Sequence, residues 1–208
     1  MMTVQEIFKI LQKDIHSVVF ATLDEQRLPQ TCVIDLMLTD ADGLYFLTAR
    51  GKSFYDRLAA QPFVALSGIK GDDTLSSIAI SVQGVVRNIG RERITEIFEK
   101  NPYMEKIYST EKSREALEVF HIYKGSGEYF DLSQLPPYRQ SFSFGGEVVR
   151  KAGYQINKEK CIGCQGCQSV CPSDCISKSI PREIKESHCL YCGNCFHICP
   201  VKAVERRL

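Results

Sequence analysis

Through its first 160 residues the chain is nearly without cysteine: Cys32 stands alone there, and nine of the 10 cysteines follow. The asymmetry divides the chain into a larger part and a compact cysteine-rich module, a division that 208 residues can accommodate. An excess of charge of one sign is missing too. With 26 basic against 25 acidic side chains and no basic run, the electrostatic footprint for nucleic acid or an anionic membrane is absent. No apolar stretch is long enough to span a bilayer. The opening residues, Met1 to Asp14, mix acids and bases through their apolar positions, unlike a secretory leader. Free thiolates, of which the chain has many after residue 160, lead to the expectation of a reducing cytoplasm.

What is present is densest between Cys161 and Pro200, where C-x-x-C-x-x-C-x-x-x-C-P occurs twice, 28 residues apart from Cys161 to Cys189. Zinc sites pair two C-x-x-C units, or one with histidines, and have no use for a third cysteine at the same interval followed by C-P. A disulfide framework belongs to secreted chains. Thiolates at this spacing hold iron–sulfur cubanes: three sulfurs from one short loop grip one cluster and the fourth turns to the other. The expected ligands of one [4Fe-4S] cluster are therefore Cys161, Cys164, Cys167 and Cys199, and of a second Cys189, Cys192, Cys195 and Cys171. The segment resembles a bacterial two-cluster ferredoxin. Cys175 exceeds the eight ligands and reads as a spare packed thiol. His188 and His197 sit at non-ligand positions, and Tyr154 and Tyr191 are either cluster shields or core filling.

Earlier in the chain, Val4, Ile7, Phe8 and Leu11 fall at helical spacing behind a Thr3-x-x-Glu6 capping box, predicting a helix to about Lys13. Strand signals follow at Ser17 to Leu23, Thr31 to Leu38, Leu44 to Ala49, Phe63 to Ile69 and Leu75 to about Ile89. Helices are expected at Ser53 to about Ala60 and from Arg91 through Lys100 toward Leu117. Val119 to Lys124 and Glu128 to Leu132 read as a closing hairpin around Gly125-Ser126-Gly127. Short connections favour antiparallel pairing, and about seven such strands should curl into a barrel. The expected fold class is mainly β, an antiparallel split barrel with short helices, plus a small α+β ferredoxin domain. The domains are taken as 1–132, 133–153 and 154–208, with the middle stretch an ordered linker rather than a strand or helix. Its Phe142 and Phe144 are too apolar for a loose tether and are expected to dock.

The run Gly43-Leu44-Tyr45-Phe46-Leu47-Thr48-Ala49-Arg50-Gly51-Lys52-Ser53-Phe54-Tyr55-Asp56-Arg57-Leu58, then Pro62-Phe63-Val64-Ala65-Leu66, resembles the FMN-binding split barrels of the pyridoxamine 5'-phosphate oxidase type over roughly residues 1 to 132. That resemblance implies an FMN phosphate held by Thr48, Arg50, Lys52 and Ser53, and a homodimer with FMN near the subunit interface. Physics favours the same turn, because a helix N-terminus with a hydroxyl and a nearby cation attracts phosphate. Gly51-Lys52-Ser53 is no P-loop ending, since Phe46 stands where that loop needs glycine. The family strand beside the isoalloxazine aligns with Pro29 to Asp35, and Thr31, Cys32 and Asp35 replace the basic residues of the true oxidases. This departure argues against pyridoxamine phosphate as substrate. Cys32 is either a flavin neighbour or a small buried apolar side chain. His16 and His121 show no partner in sequence.

Clusters take one electron and flavins one or two, so their union in one chain implies a relay between single electrons and hydride equivalents. The expected activity is an FMN-dependent oxidoreductase served by a one-electron partner protein and acting on a small substrate or a partner. A non-catalytic electron carrier or sensor, whose barrel merely binds flavin or another ligand, is the alternative.

Overall fold

The computed structural model describes residues 1–149 and 152–207. Close contacts divide the chain into two compact units. The first comprises Met1–Lys70, Ala79–Glu128 and Phe142–Val148; the second comprises Gly71–Ile78, Tyr129–Ser141 and Val149–Leu208.

Helix α1 (Val4–Lys9) begins as the sequence predicts, with Thr3 Oγ1 accepting the Glu6 N–H at 3.2 Å and Glu6 Oε2 accepting the Thr3 N–H at 2.7 Å. It buries Ile7 and Phe8, then widens into a π-helical turn over Ile10–Ile15 that ends at His16 with φ 62°. Strands β1 (Ser17–Leu23), β2 (Pro29–Asp40), β3 (Gly43–Ala49), β4 (Phe63–Lys70), β5 (Ile78–Asn88), β6 (Leu117–Asp131) and β7 (Tyr138–Phe144) form one sheet in the order β3-β2-β1-β4-β5-β6-β7. A further pairing of β3 with β6, running from Leu44 opposite Ile122 to Ala49 opposite Leu117, closes the first six into a barrel. Closure removes the open edges that a flat sheet would present.

Phe20, Phe46 and Phe120 meet in the barrel, with ring centroids 4.8 Å apart for the first pair and 5.6 Å for Phe46 and Phe120. On the other face of β3, Tyr45 and Leu47 pack with Ile97, Phe98 and Met104 from α3 (Ile94–Lys100) and α4 (Met104–Ile107). Both faces of β3 are thus covered, which explains its unbroken apolar run. The expected long helix after Arg91 is instead α3, α4 and α5 (Glu111–Arg114). Pro102 ends α3 at Asn101, whose buried amide donates to Met37 O and Ile97 O.

Two expectations are corrected here. Gly125-Ser126-Gly127 is not a hairpin turn but the middle of β6, a single strand of 15 residues. A Cβ on Gly125 would lie 2.3 Å from Gln83 O, and one on Gly127 2.4 Å from Ser81 O and 2.5 Å from the Phe142 ring. Those glycines permit close approach within the sheet rather than a change of direction. Nor is the stretch after residue 132 free of strand: β7 occupies Tyr138–Phe144. Its Phe142 and Phe144 are buried and pack edge-on against Phe8, with centroids 6.2 and 4.9 Å away. Arg150 and Lys151, also in that stretch, lie outside the described residues.

In the cysteine-rich part, β8 (Gly153–Ile156) pairs antiparallel with β9 (Val204–Arg207), placing Ile156 opposite Val204. Short helices α6 (Gly166–Ser169) and α7 (Asn194–Ile198) follow the two cysteine loops, and Ile176 bridges to Ile184. Segment 129–141 packs within this same unit: His188 Nδ1 lies 3.1 Å from Pro137 O, and the Arg139 guanidinium 4.3 Å from the Tyr191 ring.

Candidate redox sites

The turn into each short helix brings three cysteines of one loop together, and the C-P that ends each motif sends the fourth elsewhere. One recess, with about 320 Å³ free of atoms, is lined by Cys161, Cys164, Cys167 and Cys199. Another, of about 310 Å³, is lined by Cys171, Cys189, Cys192 and Cys195. Each recess therefore takes three sulfurs from one half of the repeat and one from the other. In each, the middle cysteine of the loop, Cys164 or Cys192, is exposed and the third, Cys167 or Cys195, is buried. Among the described residues no three His, Cys, Asp or Glu side chains gather closely enough for one metal ion. Sulfurs spread around a recess suit a cubane, which brings its own bulk of iron and sulfide. The backbone N–H of Tyr191 donates to Cys189 Sγ at 3.4 Å and that of Ala203 to Cys199 Sγ at 3.2 Å, the type of contact that supports cluster thiolates. Burial pushes the Cys195 thiol up to about 11, so as a cluster ligand it would have to give up a firmly held proton.

Cys175 is a buried free thiol, as the sequence suggested, but it also lines the second recess, with its sulfur 3.4 Å from Cys171 Sγ. Tyr154 lines that recess as well. His197 meets the Phe196 ring edge-on at 5.4 Å.

The barrel turn after β3 leads into α2 (Ser53–Ala60), with Lys52 as the residue before its first turn. Thr48 on β3 is buried, and its Oγ1 has no hydrogen-bond partner. Ser53 Oγ accepts from Arg57 Nη1 at 3.2 Å, and Arg57 Nε donates to Thr22 Oγ1 at 2.8 Å. Arg50 is turned aside: Nη1 pairs with Glu118 Oε1 at 3.0 Å and Nη2 donates to Glu115 O at 2.8 Å. Of the four residues expected from sequence, Lys52 and Ser53 therefore stand at the helix start, while Arg50 is committed to a carboxylate. Arg57 was missed, although its position four residues after Ser53 puts both on one helix face.

Cys32 pairs with Phe20 across β1 and β2, and burial pushes its thiol up against the opposing fields of Arg57 and Lys52. Asp35 anchors a network that no spacing rule revealed. Tyr103 O–H donates to Asp35 Oδ2 at 2.7 Å, His16 Nε2 lies 2.9 Å from the same hydroxyl, and Ser17 donates to Asp35 Oδ1. Burial pushes the Asp35 carboxyl up, but those hydrogen bonds outweigh it and hold the group below its usual range. His121 is also satisfied, by Arg87 and by Asp42 O.

A family model for pyridoxamine 5'-phosphate oxidase matches residues 4–129. The chain belongs to the pyridoxamine 5'-phosphate oxidase family. A model for a 4Fe-4S dicluster domain matches residues 153–200 of this family member. Among solved structures, a NimC/NimA family protein from Clostridium acetobutylicum is 20% identical, with 67% of this chain and 91% of that one covered at a TM-score of 0.56. A heme binding protein from Mycobacterium smegmatis is 11% identical over 70% and 59% of the two chains, TM-score 0.54. A protein related to general stress protein 26, from Clostridium acetobutylicum, is 14% identical over 64% and 88%, TM-score 0.50. At these identities the likeness is one of fold. No curated protein matches the sequence. Together the two family matches make this a redox protein that joins a flavin-type barrel to an iron–sulfur dicluster domain.

Proposed function

We propose that the chain moves electrons between two [4Fe-4S] clusters and an FMN held in its barrel, on behalf of a small substrate and a one-electron partner protein. The observation that carries this reading is the pair of recesses, each lined by four cysteines drawn from both halves of the repeat, in a chain whose barrel belongs to a flavin family. Bound there, the clusters supply single-electron steps and the flavin couples them to two-electron chemistry. The first recess uses Cys161, Cys164, Cys167 and Cys199 as ligands; the second uses Cys171, Cys189, Cys192 and Cys195.

For the flavin phosphate, the α2 N-terminus offers free backbone N–H groups, Lys52 its charge, Ser53 its hydroxyl and Thr48 an unpartnered buried hydroxyl. Arg57 reaches the same turn through Ser53, and Arg50 joins only by leaving Glu118. The reading includes a homodimer. Val19, Val33 and Phe63 leave large apolar side chains 45%, 65% and 43% exposed on the adjacent strands β1, β2 and β4, a surface that a second copy would cover. It also places the protein in a reducing compartment such as the cytoplasm, where thiolates and clusters persist. No helix among the described residues is long and apolar enough to cross a membrane.

A second reading treats the protein as a carrier or sensor whose barrel binds flavin or another ligand without turnover. It draws on the occupied Arg50 and on the fold shared with a protein described as heme binding. Anaerobic purification with iron, sulfide and acid-released flavin analysis separates the two. About eight irons and one flavin per chain support the relay; full iron with no FMN after reconstitution overturns it.

A further inference from the structure

The 28-residue repeat extends beyond the cysteines, and its halves differ where the recesses are lined. Tyr154 stands seven residues before Cys161 and Arg182 seven before Cys189, so they are counterparts. Tyr154 lines the second recess and Arg182 the first. Arg182 is 3% exposed, donates from Nη1 to Ser177 O at 3.2 Å and from Nη2 to Gly163 O at 3.5 Å, and its buried Nε has no partner. Gly163 lies within the first cysteine loop, between Cys161 and Cys164. Among the described residues no carboxylate pairs with Arg182, so its guanidinium is a buried charge without a protein counter-charge. Such a charge is costly unless an anion compensates it.

We infer that Arg182 is the counter-charge of the cluster bound by Cys161, Cys164, Cys167 and Cys199, and that it makes this cluster the resting place of a single electron. A cubane with four thiolates is an anion that becomes more negative when reduced, so an adjacent fixed cation favours the reduced form. The second recess has compensating features of its own. Cys175 and Ser173 approach Cys171 Sγ at 3.4 and 3.8 Å, whereas the counterparts in the first recess are Ala203 and Val201. A thiol is a weak neutral donor, Ser173 is at the limit of reach, and the Arg139 guanidinium lies against the Tyr191 ring rather than among the side chains lining the second recess, while Arg182, 3% exposed, is a full charge in the lining of the first and acts more strongly. The charge wins, and the two sites differ in potential in the order first above second.

The inference rests on the two-cluster reading, and iron and sulfide counts separate their failures: fewer than two clusters in the unaltered chain sinks that reading. With two clusters present, an anaerobic redox titration of the full chain followed by electron paramagnetic resonance should show two one-electron waves. Arg182→Tyr, which installs the side chain its counterpart already accommodates, should lower the upper wave and leave the lower one in place. The expected change is roughly tenfold or more in the reduction equilibrium, or about 59 mV for each tenfold. Arg182→Lys, which keeps the charge, should retain most of the wild-type separation. If Arg182→Tyr loses iron from one site while Arg182→Lys keeps both clusters, the requirement for charge is shown by assembly instead. A single wave in the unaltered chain, an upper wave indifferent to Arg182→Tyr, or one that moves with Cys175→Ala instead would overturn the inference.

Discussion

In the barrel Phe20, Phe46, Phe54 and Phe120 pack ring against ring, whereas the buried cluster of the cysteine-rich part is Cys167, Cys175, Cys189 and Cys195 with Ile176 and Val204. One region fills its interior with carbon side chains and closes its sheet on itself. The other, a smaller unit that joins residues 153–207 and their two-stranded pairing to segment 129–141, gathers sulfur around two recesses. A region of that size rarely buries enough apolar surface to stand alone, and metal binding then becomes folding free energy. The difference teaches where a cofactor would matter most to the fold: the barrel closes on its own carbon core, whereas the proposed clusters would add binding energy to the region with the smaller core.

The most drastic way to break that contrast is to remove iron from the loaded protein with a chelator and an oxidant, then follow amide hydrogen exchange. Protection over residues 152–207 should collapse while the barrel strands stay protected; equal retention in both would contradict the contrast. Next in size, Phe46→Ala removes a fully buried ring and should destabilise the barrel by about 3–5 kcal/mol in denaturant unfolding, with cluster content unchanged. Smaller still, Lys52→Ala should weaken FMN retention by roughly tenfold in equilibrium dialysis, since a charged hydrogen bond contributes about 1.5–3 kcal/mol. Unchanged affinity would refute the phosphate assignment.

The smallest effect concerns Glu118. Hydrogen bonds from Asn88 and Tyr55, then from Arg50, hold its carboxyl below the ordinary value of 4.5 despite partial burial. A depressed carboxyl stabilises the fold above its unfolded value and loses that contribution as pH falls through the lower folded value. The melting temperature of the barrel should therefore drop by a few degrees at most below pH 4.5, and the drop should be smaller in Glu118→Gln.

Much of this contrast was legible in the sequence, but unevenly. The cysteine spacing announced both recesses because ligand geometry is local and written in a short period. Strand β1 was readable to its ends from its flanking turns. The barrel's closing strands were not. About seven strands were expected to form the barrel, and among the described residues the large sheet has seven, of which six close the barrel; the two strands read around Gly125-Ser126-Gly127 are one, and the seventh is Tyr138–Phe144. A glycine that bends the chain and one that admits a neighbouring strand look alike until the neighbour is in place. The same limit hid Arg57 behind Ser53, the Asp35, Tyr103 and His16 network, and the pairing that draws Arg50 to Glu118. Each depends on residues far apart in the chain. Arg182 was within reach of sequence, since the repeat aligns it with Tyr154, but the repeat had to be read past its cysteines.

Electron exchange between the cysteine-rich part and the barrel is tested most directly by anaerobic stopped-flow. The loaded protein is mixed with a one-electron reductant, and cluster and flavin absorbance are followed separately. Bleaching of the clusters should be followed by flavin reduction in a first-order phase whose rate does not depend on protein concentration. Fully reduced clusters beside a flavin that stays oxidised would contradict it.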